Sequence, residues 1–118
     1  MKRNKETLKT KSFIFSLETI KLYKKLKEKK EYVLSRQLLR SGTSVGAMIR
    51  EAKNAESRAD FIHKLGIAQK ECAETIYWLE LLYESNYLDK DTFDRLHCNA
   101  TELLKMIRSS ILTTKNRS

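Results

Sequence analysis

The sequence predicts an all-α protein, an antiparallel up-down-up-down four-helix bundle, and three observations carry that prediction. The 118 residues include no Pro and only three Gly, so the punctuation that β-hairpins need is missing. Apolar residues recur at spacings of three and four, with no strand-like alternation. The apolar stripes fall into four segments separated by short polar breaks, which can join only antiparallel neighbours. A chain of this length forms one domain around a single modest core.

Residues 1–11 are polar and basic without periodicity and read as a disordered basic arm, followed by one bundle domain over residues 12–114. The first helix is expected over residues 12–29 with Ser12 as its N-cap. Its apolar residues form two zones, Phe13, Ile14, Leu17 and Ile20 on one side and Phe15, Leu22 and Leu26 on another. One core contact needs one stripe, so the second zone is either the far wall of a wide core or a subunit interface.

After a polar break at Lys29, Lys30 and Glu31, the second helix is expected over residues 32–53. Leu34, Leu38, Val45, Ile49 and Ala52 share one stripe of it, while Arg36, Arg40, Ser44 and Glu51 collect nearly opposite. Gly42 and Gly46 make a notch beside the stripe. Each costs about 1 kcal/mol relative to Ala inside a helix, so another backbone is expected to approach there, and such a notch points to assembly.

The third helix starts at Ser57, an N-cap with Asp60 three residues on, an acidic variant of the capping box. Phe61, Leu65, Ala68, Cys72, Thr75, Leu79 and Leu82 then form a heptad seam that lasts to about Ser85. A second strip holds Ile67, Trp78, Leu81 and Leu82, and Trp78 reads as core or interface filler ahead of a base-stacking platform. Asp89 is a candidate cap for the fourth helix, which carries Phe93, Leu96, Ala100, Leu103, Leu104, Ile107 and Ile111 on one face before the tail TTKNRS frays.

The net charge of +9 is uneven: residues 1–40 hold 13 Lys/Arg against 4 acids, and residues 71–118 hold 6 against 8. The basic character belongs to the first helical hairpin and suits an anionic partner, although Lys-rich faces equally suit plain solvation. No window approaches the roughly 20 apolar residues of a membrane span, and the N-terminus lacks the apolar stretch of a secretory signal, which predicts a cytoplasmic protein without membrane contact. Cys72 and Cys98 have neither CxxC spacing nor disulfide-scaffold density and read as ordinary thiols.

Candidate chemistry is sparse. Asp60 with His63 and Asp94 with His97 repeat a D-x-x-H spacing that resembles half of a di-iron site, but their helical directions lie off the core lines. Neither Cys has a motif-level partner, and the phosphate-loop pattern is absent. No catalytic residue, metal or cofactor is expected. The candidate nucleic-acid-binding set is Lys21, Lys24, Lys25, Arg36, Arg40, Arg50 and Lys53, joined in sequence by Lys27. Arg36, Arg40 and Glu51 fit ion pairs across an interface equally well. Gly42, Gly46, Glu51 and Trp78 form the candidate packing or oligomer set.

The segments SRQLLRSGTSVGAMIREA and DFIHKLGIAQKECAETIYWLELL resemble the bacterial four-helix-bundle proteins called 23S ribosomal RNA intervening-sequence proteins. The resemblance covers about residues 13–112 and rests on Leu39, Arg40, Ser44, Ile49, Glu51, Phe61, Leu65 and Ala68. Met48 stands where the family usually has Asn. Related bundles include the accessory variability determinant of diversity-generating retroelements. The resemblance implies a homopentamer with a basic surface or pore that handles nucleic acid. Two functions follow as expectations. One is a non-enzymatic homo-oligomer that binds nucleic acid, RNA more than DNA. The other is an interaction module that docks a nucleic-acid enzyme such as a reverse transcriptase.

Overall fold

The computed structural model describes residues 7–117, which form four helices: α1 Leu8–Glu28, α2 Leu34–Lys53, α3 Arg58–Glu84 and α4 Lys90–Lys115. Each helix packs on the next, and α1 meets α4 more sparsely, giving an up-down-up-down bundle. The α3 seam is buried as its spacing requires, from Leu65 through Ala68, Cys72, Thr75 and Leu79 to Leu82. Facing it are Leu38, Val45 and Ile49 from α2, Phe15, Leu22 and Leu26 from α1, and Leu96, Leu103 and Ile107 from α4.

Three helix boundaries differ from the sequence expectation. α1 begins at Leu8, because the Thr7 hydroxyl caps it by accepting from the Thr10 backbone N–H at 3.1 Å. Ser12 is therefore no cap but a buried residue one turn inside, its hydroxyl donating to the Lys9 carbonyl at 3.1 Å. Residues 8–11 of the expected disordered arm are helical, and residues 1–6 lie outside the described residues. α2 begins at Leu34 and leaves Tyr32 and Val33 exposed, while α4 continues through Lys115. Its last turn is held by the Thr114 hydroxyl donating to the Ser110 carbonyl at 2.9 Å and by the Arg58 guanidinium donating to the Arg117 carbonyl at 2.7 Å.

The two hairpin turns at one end of the bundle use the same device. Lys30 and Asn86 adopt left-handed backbone with φ of 67° and 71°, and Glu31 and Tyr87 donate their N–H groups back to Leu26 and Leu82 at 2.9 and 2.8 Å. These are Schellman closures built without glycine. Glu31 then turns inward. Its buried carboxylate accepts from the N–H groups of Val33, Leu34 and Ser35 at 3.3, 3.0 and 2.6 Å and so caps α2, whose own N-cap residue contributes no side-chain bond. At the other end Ser57 caps α3 through the Asp60 N–H at 3.0 Å, and the Asp60 carboxylate accepts from the Glu56 N–H at 3.3 Å. Asp89 caps α4 through the Thr92 N–H at 2.7 Å.

Close approach between α1 and α2 explains the two glycines of α2. A Cβ on Gly42 would lie 2.7 Å from Thr19 Cγ2, and one on Gly46 would lie 3.1 Å from Ser16 Oγ and 3.4 Å from the Ser12 carbonyl oxygen. The notch therefore receives α1 of the same chain. The polar residues buried along these seams are small and satisfied: Thr19 donates to the Phe15 carbonyl at 2.9 Å, and the Ser41 and Thr75 hydroxyls meet at 2.8 Å. Among the described residues no buried side-chain polar atom lacks a partner.

Candidate nucleic-acid interface

The seven cations that sequence grouped together separate into four places. Lys24 lies on the last turns of α1 and Arg36 on the first turn of α2, so the hairpin brings them to one end of the bundle. Lys27, Lys29 and Lys30 complete that end, all exposed beside exposed Tyr32 and Val33. Lys27 sits over the Tyr23 ring with Nζ 5.2 Å from its centroid, and Lys29 donates to the Tyr87 carbonyl at 3.0 Å. The field reaches α4 as well. Hydrogen bonds from the Thr92 backbone and side chain, with the Lys29 and Lys25 charges, hold the Asp89 carboxyl below its usual range.

Lys21 and Lys25 face the opposite flank of α1 and line a cleft against α4. Arg50 and Lys53 stand at the far end of α2, with Arg50 about 21 Å along the axis from Arg36 at 1.5 Å per residue. The Arg50 guanidinium lies 5.4 Å from the centroid of Phe13, and the hollow it shares with Glu51, Glu56, Asp60 and Lys64 is too rich in carboxylates to attract an anion.

Arg40 belongs to none of these surfaces. Its guanidinium donates to Glu71 at 3.1 Å and to Glu74, both on α3, and the Trp78 indole N–H donates to Glu74 at 2.9 Å. Burial pushes the Glu74 carboxyl up, but the Trp78 and Arg40 hydrogen bonds and the Arg40 charge outweigh it and hold that carboxyl below its ordinary range. Arg40 is thus an α2–α3 clamp, already neutralised by two carboxylates. Glu51 is spent likewise within the chain, on Lys64 at 2.8 Å. Trp78 is half-buried against the core and tilted on Tyr77 at 5.1 Å between centroids, and its bond to Glu74 had no signal in the sequence.

The D-x-x-H pairs do not converge. His97 meets Glu80 at 3.0 Å, Asp94 meets Lys90 at 2.7 Å and His63 is exposed. Among the described residues no three His, Cys, Asp or Glu side chains are placed to hold a metal ion. Cys72 donates its thiol to the Ala100 carbonyl at 3.2 Å, and burial pushes its pKa up to about 12, which removes it as a nucleophile at neutral pH. Among the described residues no helix is long and apolar enough to cross a membrane.

Among the described residues, an apolar patch on α1 stays uncovered. Phe13, Ile14 and Leu17 are 50%, 42% and 46% exposed on the outer face of α1, where sequence left core and interface open as alternatives. The core is complete without them.

Fold and surface together define a basic four-helix bundle with a cationic hairpin end and an apolar outer face on its first helix. Residues 5–109 match the family model for the 23S rRNA-intervening sequence protein, and the chain belongs to that family. It is also similar to a protein of unknown function from the S23 ribosomal protein family of Bacteroides thetaiotaomicron VPI-5482, whose crystal structure was determined at 1.70 Å. That likeness has a TM-score of 0.88 at 50% identity and covers 89% of this chain and 98% of the other. None of the curated proteins matches the chain.

Proposed function

We propose that the protein is a non-enzymatic, cytoplasmic homo-oligomer that binds nucleic acid, RNA in preference to DNA, through the cationic hairpin end. The observation that carries this reading is the gathering of Lys24, Lys27, Lys29, Lys30 and Arg36 around one turn, with Tyr32 exposed among them. Phosphate-tracking surfaces combine such cations with accessible aromatic rings. The preference for RNA is supported by the family's name alone.

The exposed face of Phe13, Ile14 and Leu17 supports self-association, since large apolar side chains grouped on one helix face mark an interaction surface. A ring of five would place five hairpin ends on one assembly and multiply weak phosphate contacts by avidity. Fluorescence anisotropy with a labelled short RNA and its DNA counterpart at about 50 mM salt tests the reading, because phosphate-driven binding is strongest at low salt. Binding with RNA ahead of DNA is expected. No binding to either would overturn it and favour a module that docks a nucleic-acid enzyme.

A further inference from the structure

The bundle is open between α1 and α4. α1 packs more sparsely on α4 than on α2, and the gap leaves a cleft of about 330 Å³. Four charged side chains line it, Glu18, Lys21 and Lys25 from α1 and Arg95 from α4. Leu22 and Leu96 close the floor, and Thr92, whose side chain hydrogen-bonds Asp89, lines one wall.

Three cations therefore face one carboxylate. Arg95 donates to Glu18 at 2.5 Å, and Lys21 Nζ lies 4.0 Å from the same side chain, while Lys25 has no carboxylate of the cleft as its partner. Glu18 holds the Arg95 fork toward the cleft and occupies it as an internal anion. A phosphodiester has the same charge as Glu18, matches the guanidinium fork, and can reach Lys21 and Lys25 as well.

We infer that this α1–α4 cleft seats a backbone phosphate of single-stranded RNA, with Lys21, Lys25 and Arg95 as its ligands and Glu18 as the internal anion it displaces. This rests on the nucleic-acid reading above and extends it away from the hairpin tip, down the flank of α1. A single strand can follow such a path, because its backbone bends between successive phosphates. A duplex presents its phosphates on a stiff cylinder and reaches the cleft less well.

The test is anisotropy titration of the full-length protein with a short labelled oligouridylate over a series of salt concentrations. Lys21→Gln with Arg95→Gln should weaken binding about tenfold and flatten the log–log salt slope by between about 1 and 2. Lys25→Gln, which leaves the Glu18–Arg95 pair intact, should flatten it by about 1. Glu18→Gln should tighten binding several-fold by removing the competing carboxylate. Wild-type affinity and slope in the double variant and in Lys25→Gln, or weaker binding by Glu18→Gln, would overturn the cleft assignment while hairpin-end binding stands. Absence of binding by the wild-type protein would overturn both.

Discussion

The Arg40 guanidinium donates a hydrogen bond of 3.1 Å to Glu71 across the seam between α2 and α3. With Glu74 on its other nitrogen, Arg40 ties two helices of one chain rather than offering a free cation. Its role is thereby decided by residues more than 30 positions away.

Arg40→Gln should accordingly leave nucleic-acid affinity unchanged. Its stability cost should stay within about 1 kcal/mol, since the pair is half exposed to solvent. The informative change lies in acid. The folded Glu74 carboxyl sits below its ordinary range, so its contribution is present above the unfolded pKa of about 4 and is lost as pH falls through the lower folded value. Without Arg40, only the Trp78 hydrogen bond still opposes burial, so that carboxyl moves up. Thermal melts across pH should therefore show Arg40→Gln losing stability at a higher pH than the wild type.

Gly42 and Gly66 should respond in opposite ways to Ala. At Gly42 the new Cβ would press 2.7 Å from the Thr19 methyl and 2.8 Å from its hydroxyl, and Thr19 is β-branched and buried. Overpacking of this kind costs about 1–3 kcal/mol, more than the helix-propensity gain of about 1 kcal/mol. At Gly66 nothing lies within 4 Å, so Gly66→Ala should stabilise by most of that gain. Urea unfolding of the two variants should move in opposite directions.

Glu31→Ala should destabilise the fold by about 2 kcal/mol, since it strips three backbone N–H groups of their acceptor at the start of α2. A drop in melting temperature of about 8 °C is expected for a chain of this size. A near-neutral result would mean that water replaces the carboxylate.

Leu17→Glu should lower the solution mass to that of the single chain, as read by light scattering, with little change in melting temperature. Leu17 is 46% exposed and outside the core, so the bundle does not depend on it. An unchanged oligomer would place the subunit contact elsewhere.

Much of the fold was legible because bundle cores are periodic. The seam from Leu65 to Leu82 and the caps at Ser57 and Asp89 stand where spacing and cap chemistry put them. The start of α1 was hidden because its first turns are lysine-rich and Leu8 alone carries the stripe. Glu31 was hidden because a carboxylate in a turn reads as solvated until its three backbone donors are seen. Gly42 and Gly46 announced a close approach, but periodicity cannot say whether the approaching helix belongs to the same chain.

The candidate interface was less legible than the core. A basic hairpin is visible in the charge distribution, yet the division of its cations depends on how α1 and α2 rotate against α3 and α4. Arg95 carried no signal at all in sequence, since its partner Glu18 lies on the first helix.

The central claim is tested most directly by the salt dependence of RNA binding in a variant with Lys24, Lys27, Lys30 and Arg36 all changed to Gln, beside Arg50→Gln with Lys53→Gln as the control. Neutralising the hairpin end should flatten the log–log slope by up to about 4 and weaken binding at low salt, while the control keeps the wild-type slope. Equal losses in the two variants, or an unaltered slope in the first, would contradict the assignment of the hairpin end.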